Sequence, residues 1–206
     1  MNLPNILTLS RLVLVFIMMV LLSSESIPFA KSMALVVFAI AGITDYLDGY
    51  IARSRNLVTA FGRLMDPLTD KVMVCAAFVS FVEIHLNIPR IGIVPLVPAW
   101  ITVIIISREF LVTGLRLLAA NKGNIISAGT WGKHKTVWQI IAIVILLLGL
   151  AVRDDLLRNA DKVLRANFDF ALYWIAYGVA VAVALITVAS GCMYFTQHRE
   201  LISGRH

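Results

Sequence analysis

The stretch DYLDGYIARSRNLVTAFGRLMDPLTD, Asp45–Asp70, sets four aspartates, three arginines and two glycines into a chain that is 60% hydrophobic. Around it lie long apolar runs, and only 15% of the 206 residues are charged, with a mean hydropathy of +0.88. Too little polar side chain is available to cover a soluble globule of this size. The expectation is an all-α integral membrane protein. No Pro- or Ser-rich linker divides the chain, so residues 1–206 read as a single membrane domain.

A hydrocarbon core about 30 Å thick is crossed by roughly 20 mostly apolar residues in a helix. Six segments meet this, some only with their polar ends: Ile6 to Leu22, Ser32 to Ile51, Lys71 to Leu86, Ile93 to Leu118, Val137 to Val152 and Phe170 to Phe195. The last four are apolar all round, as expected where one face meets lipid and another meets protein. Strand alternation is absent, which disfavours a β-barrel. Arg11 followed by LVLVFIMMVLL resembles a signal peptide. The residues before it are themselves apolar and the cleavage pattern is poor, so the segment is expected to stay in the chain. On it, Asn5, Thr8 and Arg11 recur every third residue and share one helix face.

Orientation follows from the basic residues. With the N-terminus inside, twelve of the 18 Lys and Arg lie on the cytoplasmic side and six outside. Both termini are therefore expected in the cytoplasm. The outer loop from Arg153 to Asp169 balances four basic residues with Asp154, Asp155, Asp161 and Asp169. The net charge of +6 reports topology and contact with anionic lipid headgroups. No basic face with interleaved aromatics is present, so nucleic acid is not expected as a partner. Cys75 and Cys192 lie in separate apolar helices and read as small packing residues.

Asp45 and Asp48 are three apart near the end of the second segment, and Asp66 and Asp70 are four apart at the start of the third. Each pair shares a helix face, and a short loop makes the helices antiparallel neighbours. All four carboxylates then converge on one cytoplasm-facing polar cavity. Such a cluster is strongly unfavourable in a low dielectric unless cations neutralise it. Arg53 and Arg63 are candidate structural partners, but an oxygen-rich cluster at this spacing suits a hard divalent cation better. Gly49, Ala52 and Gly62, interleaved with the aspartates, make room for a flat ligand close to the backbone.

The series Asp45-x-x-Asp48-Gly49-x-x-Ala52-Arg53, eight residues, then Gly62-x-x-x-Asp66-x-x-x-Asp70 resembles the signature of the CDP-alcohol phosphatidyltransferases at all eight fixed positions. The resemblance implies six transmembrane helices with a cytoplasm-facing site in a multi-pass, bacterial-type inner membrane protein. It implies a reaction in which a hydroxyl displaces CMP from a CDP-linked lipid, assisted by two ions of Mg2+ or Mn2+. By similarity Asp45, Asp48, Asp66 and Asp70 hold the metals, and Asp70 also serves as general base. Asn5, Thr8, Gly49, Ala52, Arg53, Thr59 and Gly62 match positions around the CDP-lipid nucleotide. A homodimer among membrane lipids is also implied.

The acceptor is read from SREFLVTGLR, which carries Arg108, Glu109 and Arg116, and from WGKHKT, which carries Lys133 and Lys135. Four cations beside a metal site suit a second anion, phosphate above all. These stretches resemble the subgroup that joins CDP-diacylglycerol to glycerol 3-phosphate. An inositol phosphate, serine or phosphatidylglycerol would use the same metal site and differ at these cations. A prenyltransferase spaces its aspartates differently, while a divalent-cation transporter would line its path with them. His134 reads as a surface or packing residue, and Gly132-Lys133 fails as a P-loop because Ser127 and His134 stand at two required positions.

Overall fold

The computed structural model describes residues 3–54, 60–121 and 130–197, with side chains at 8–45, 47, 68–116 and 135–196. Six α-helices dominate: α1 (Leu3–Ser23), α2 (Ala30–Ser54), α3 (Ala60–Glu83), α4 (Ala99–Asn121), α5 (Thr130–Ala151) and α6 (Lys162–Gln197). A hairpin of β1 (His85–Ile88) and β2 (Gly92–Pro95) joins α3 to α4, and a π-helical turn, Val152–Leu156, ends α5.

Helix α1 packs against α2 and α3, α5 against α2 and α6, and α4 against α6. Small side chains permit the close approach of α2, where Ala30, Ala34 and Ala41 are all buried. Met18 and Leu22 of α1, Phe78 and Phe81 of α3, Ile143 and Leu146 of α5 and Ala176 and Ala180 of α6 belong to one core. Where α5 meets α6, Leu172 presses against Gly149 so closely that a Cβ built there would lie 2.4 Å from Leu172 Cδ1.

Many large apolar side chains face outward. Phe16, Val20, Val36, Val103 and Leu185 are each more than half exposed. Patches of this kind are unfavourable in water and favourable in lipid. Among the described residues, two helices are long and apolar enough to cross a bilayer, Lys135–Leu156 and Lys162–Thr196. Helices α2, α3 and α4 carry charges at the end where the aspartates lie, which dilutes their hydropathy.

Three boundaries differ from the sequence reading. Residues His85–Ile88 alternate exposed and buried, and Leu86 and Ile88 insert into the core, so a short strand pattern was present after all. The fourth helix starts at Ala99 instead of Ile93. Pro95 and Pro98 cannot donate to a helix, and the residue before each is biased to extended backbone. The chain turns at Arg90 and Gly92, with φ of +68° and +99°, and β1 pairs with β2 from His85↔Pro95 to Ile88↔Gly92. The last helix starts at Lys162, eight residues before Phe170, so much of the expected outer loop is helical. Arg165 N–H donates to the Asp161 carbonyl at 3.0 Å, closing that first turn.

The charges of that loop hold the end of the bundle opposite Asp45. Arg153 forks onto Asp169 at 2.7 and 3.3 Å and also meets Asp154 at 2.8 Å. Asp155 accepts from Ser32 N–H at 2.7 Å and from its hydroxyl at 2.6 Å, satisfying a donor in the first turn of α2. Lys31 donates to the Leu22 and Ser24 carbonyls where α1 ends. A polar cavity of about 510 Å³ opens here, lined by Glu25, Lys31, Glu83, His85 and Arg158 among others. Lys31 and Asp45 are fourteen residues apart on α2, about 21 Å at 1.5 Å per residue, so this cavity is remote from the aspartates.

Candidate active site

Asp45 lies in the last third of α2 and Asp70 midway along α3. Both face Arg11 of α1. One nitrogen, Arg11 Nη1, lies 2.6 Å from Asp45 Oδ1 and 3.1 Å from Asp70 Oδ1. The two oxygens are therefore no farther apart than those distances laid end to end, so both carboxylates border one small space. The pairing is polarised in depth. The Arg11 side chain is 0% exposed, while Asp45 and Asp70 are 40% and 49% exposed. The guanidinium approaches from the core and the carboxylates open away from it.

Thr8, one turn before Arg11, is buried beside this group, in keeping with the shared face of Asn5, Thr8 and Arg11. Asp48, Gly49, Ala52 and Arg53 belong to α2, Gly62 and Asp66 to α3, and Asn5 to α1, but their side chains lie outside the described residues. Thr59 lies outside them altogether. Among the described residues no group of three or more Asp, Glu, His or Cys is placed to hold a metal, and those residues include only two of the four aspartates. The donor set that is described fits a hard divalent cation in kind: carboxylate oxygens from two helices, converging on a common point.

Two of the predicted acceptor cations, Arg108 and Lys135, gather around a carboxylate. Lys135 on α5 donates to Glu109 Oε1 on α4, and both are buried. Gln139 Nε2 donates to the same oxygen at 3.3 Å, and Arg108 Nη1 lies 3.7 Å from it. Arg108 Nη2 donates to Ser190 Oγ at 2.9 Å and Arg116 Nε to Tyr194 OH at 3.3 Å, so both arginines lean on α6. The Arg116 guanidinium also stands 5.4 Å from the Tyr194 ring centroid. Lys133 lies in the first turn of α5, with its side chain outside the described residues.

Lys71, next to Asp70 on α3, lies within electrostatic range of Glu109, Arg108 and Arg116. The structure thus brings Asp45 and Asp70 together and sets Arg108, Arg116 and Lys135 around a neighbouring centre. The sequence reading missed the partners. Arg53 and Arg63, offered as neutralising arginines, have side chains outside the described residues, while Arg11 was placed on a shared face but given no role. Its signal was a charge inside an otherwise apolar run. Glu109 was seen only as a neighbour of cations, although a carboxylate four residues from none of them on its own helix had to find partners across the bundle.

The fold and this site place the chain in a family. The CDP-alcohol phosphatidyltransferase family model matches residues 1–188, and the chain belongs to that family of membrane-bound transferases. Its relatives narrow the class further. A CDP-diacylglycerol–glycerol-3-phosphate 3-phosphatidyltransferase of Bacillus subtilis (strain 168) is 39% identical over 98% of this chain and 97% of its own length. Proteins of the same name from Rickettsia bellii (strain RML369-C) and Haemophilus influenzae (strain ATCC 51907 / DSM 11121 / KW20 / Rd) are 32% and 40% identical, over 94% and 69% of this chain and 93% and 73% of their own. The chain is a membrane enzyme of the phosphatidyltransferase class.

Proposed function

We propose that the chain transfers a phosphatidyl group from CDP-diacylglycerol to glycerol 3-phosphate, releasing phosphatidylglycerophosphate and CMP. The observation that carries this is the pair of charge centres set by the packed helices: the Asp45 and Asp70 carboxylates at Arg11, and the Arg108 and Lys135 cations at Glu109 of α4. The names of the relatives support the same substrates.

Asp45, Asp48, Asp66 and Asp70 would hold two divalent ions, Mg2+ or Mn2+, which would supply positive charge against the pyrophosphate and the leaving phosphate. Asp70 accepts the proton of the glycerol 3-phosphate hydroxyl as its oxygen attacks the phosphorus that bears the diacylglycerol. That new P–O bond forms as the bond to CMP breaks, and CMP departs with the electron pair. Asn5, Thr8, Gly49, Ala52, Arg53, Thr59 and Gly62 surround the cytidine nucleotide. Arg108, Arg116, Lys133 and Lys135 receive the acceptor's own phosphate, a dianion that serine lacks.

The site faces the cytoplasm in this reading, with six helices across the membrane, both termini inside and two copies forming a homodimer. The test is CMP release by purified protein given CDP-diacylglycerol, Mg2+ or Mn2+, and one alcohol at a time. Turnover with glycerol 3-phosphate is expected. Turnover with only another alcohol overturns the acceptor, and metal flux without CMP release overturns the enzyme reading.

A further inference from the structure

We infer that Arg11 is the built-in counter-cation of the metal site: it stands behind Asp45 and Asp70, holds them while no metal is bound, and remains in place when metal binds in front. The inference rests on the metal assignment proposed above. Three observations carry it. First, Arg11 Nη1 contacts Asp45 and Asp70 on different helices at 2.6 and 3.1 Å, so one charge ties α1, α2 and α3 together. Second, the exposure gradient from 0% at Arg11 to 40% and 49% at the carboxylates puts the guanidinium on the core side and leaves the open side to an incoming ion. Third, a fully buried guanidinium in an apolar helix is unfavourable without carboxylate partners, so Arg11 depends on these aspartates when the site is empty.

The consequence is a linkage. A cation behind the carboxylates stabilises the metal-free form more than the metal-bound form, because in the latter it repels the bound ion. Arg11 therefore lowers metal affinity in exchange for a site that survives unloaded, and it acts as a positioning residue without touching the reacting atoms. Removing its charge has opposite effects on the two states.

The test uses full-length protein in detergent with chelator, then with Mn2+, comparing wild type, R11K, R11M and R11M/D45N. Thermal melting reports the metal-free fold, and the electron paramagnetic resonance signal of free Mn2+ reports binding. Metal-free R11M is expected to melt below wild type, R11K to lie between them, and R11M/D45N to recover part of the loss because one of two mutually repelling carboxylates is gone. R11M is expected to bind Mn2+ at least about tenfold more tightly than wild type, and to gain more melting temperature from it. If R11M fails to fold without metal, folding of R11M/D45N supports the inference and failure of both overturns it. Equal metal-free melting of R11M and wild type, or unchanged or weaker Mn2+ binding by R11M, also overturns it. A wild type that binds no Mn2+ defeats the metal assignment instead, and the melting series still decides whether Arg11 is the counter-charge.

Discussion

Replacing Glu109 with Met removes the carboxylate that Lys135, Gln139 and Arg108 share, while keeping an unbranched side chain of similar length. The Lys135 and Glu109 side chains are 5% and 8% exposed, so solvent screens little of the loss. Breaking a buried pair by deleting one partner costs about 3 to 5 kcal/mol, because the other charge stays buried and uncompensated. At about 2 to 4 °C per kcal/mol for a chain of this size, E109M should melt about 6 to 20 °C below wild type. The companion E109M/K135M removes both charges, and the core should recover most of that loss. Melting in one detergent, followed by circular dichroism, compares all three. The recovered double variant then separates packing from function. If Lys135 receives the acceptor phosphate, its KM for glycerol 3-phosphate rises at least about tenfold while that for CDP-diacylglycerol holds. A melting point for E109M within about 2 °C of wild type, or a double variant as unstable as the single one, refutes the reasoning.

Three further outcomes follow from the geometry. Asp70→Asn should cut CMP release by about a thousandfold or more, since it removes the proposed base and a metal oxygen together; turnover within tenfold of wild type removes Asp70 from both roles. Gly149→Ala forces a Cβ to within 2.4 Å of Cδ1 of the buried Leu172 and should cost about 1 to 3 kcal/mol, with L172A in the same chain relieving the clash; G149A melting like wild type would show that the Leu172 side chain turns aside without cost. Asp155→Ala strips Ser32 of the acceptor for its N–H and hydroxyl and should destabilise by about 1 to 2 kcal/mol, measured by melting, with CMP release per folded molecule unchanged because Asp155 is remote from Asp45.

How much of this was legible from residues alone depends on the range of the interaction that decides it. The helices α1, α2 and α5 were readable because a run of apolar residues long enough for a bilayer is a local property. The start of α4 was misread because apolar content does not distinguish Ile93–Val97 as strand from helix; Pro95 and Pro98 held that information. The start of α6 was misread because the charges from Arg153 to Asp169 look like a loop until Arg153 finds Asp169 and Arg165 approaches Asp154, which makes a charged first turn stable inside the structure.

The aspartate pattern by itself pointed to the family, since the positions from Asp45 to Asp70 match its signature at fixed spacing along the chain. Only the tertiary structure decided which cation stands behind them. Arg11 is 34 residues from Asp45 and 59 from Asp70 in the chain, and no periodicity links residues so far apart. It reaches them because α1 packs against both α2 and α3, and because a buried guanidinium in an apolar helix has to pair with carboxylates within its reach. The same rule joined Glu109 to Lys135 across two helices. Spacing along the chain is set by covalent geometry, whereas the pairing of buried charges is set by which helices the core brings into contact.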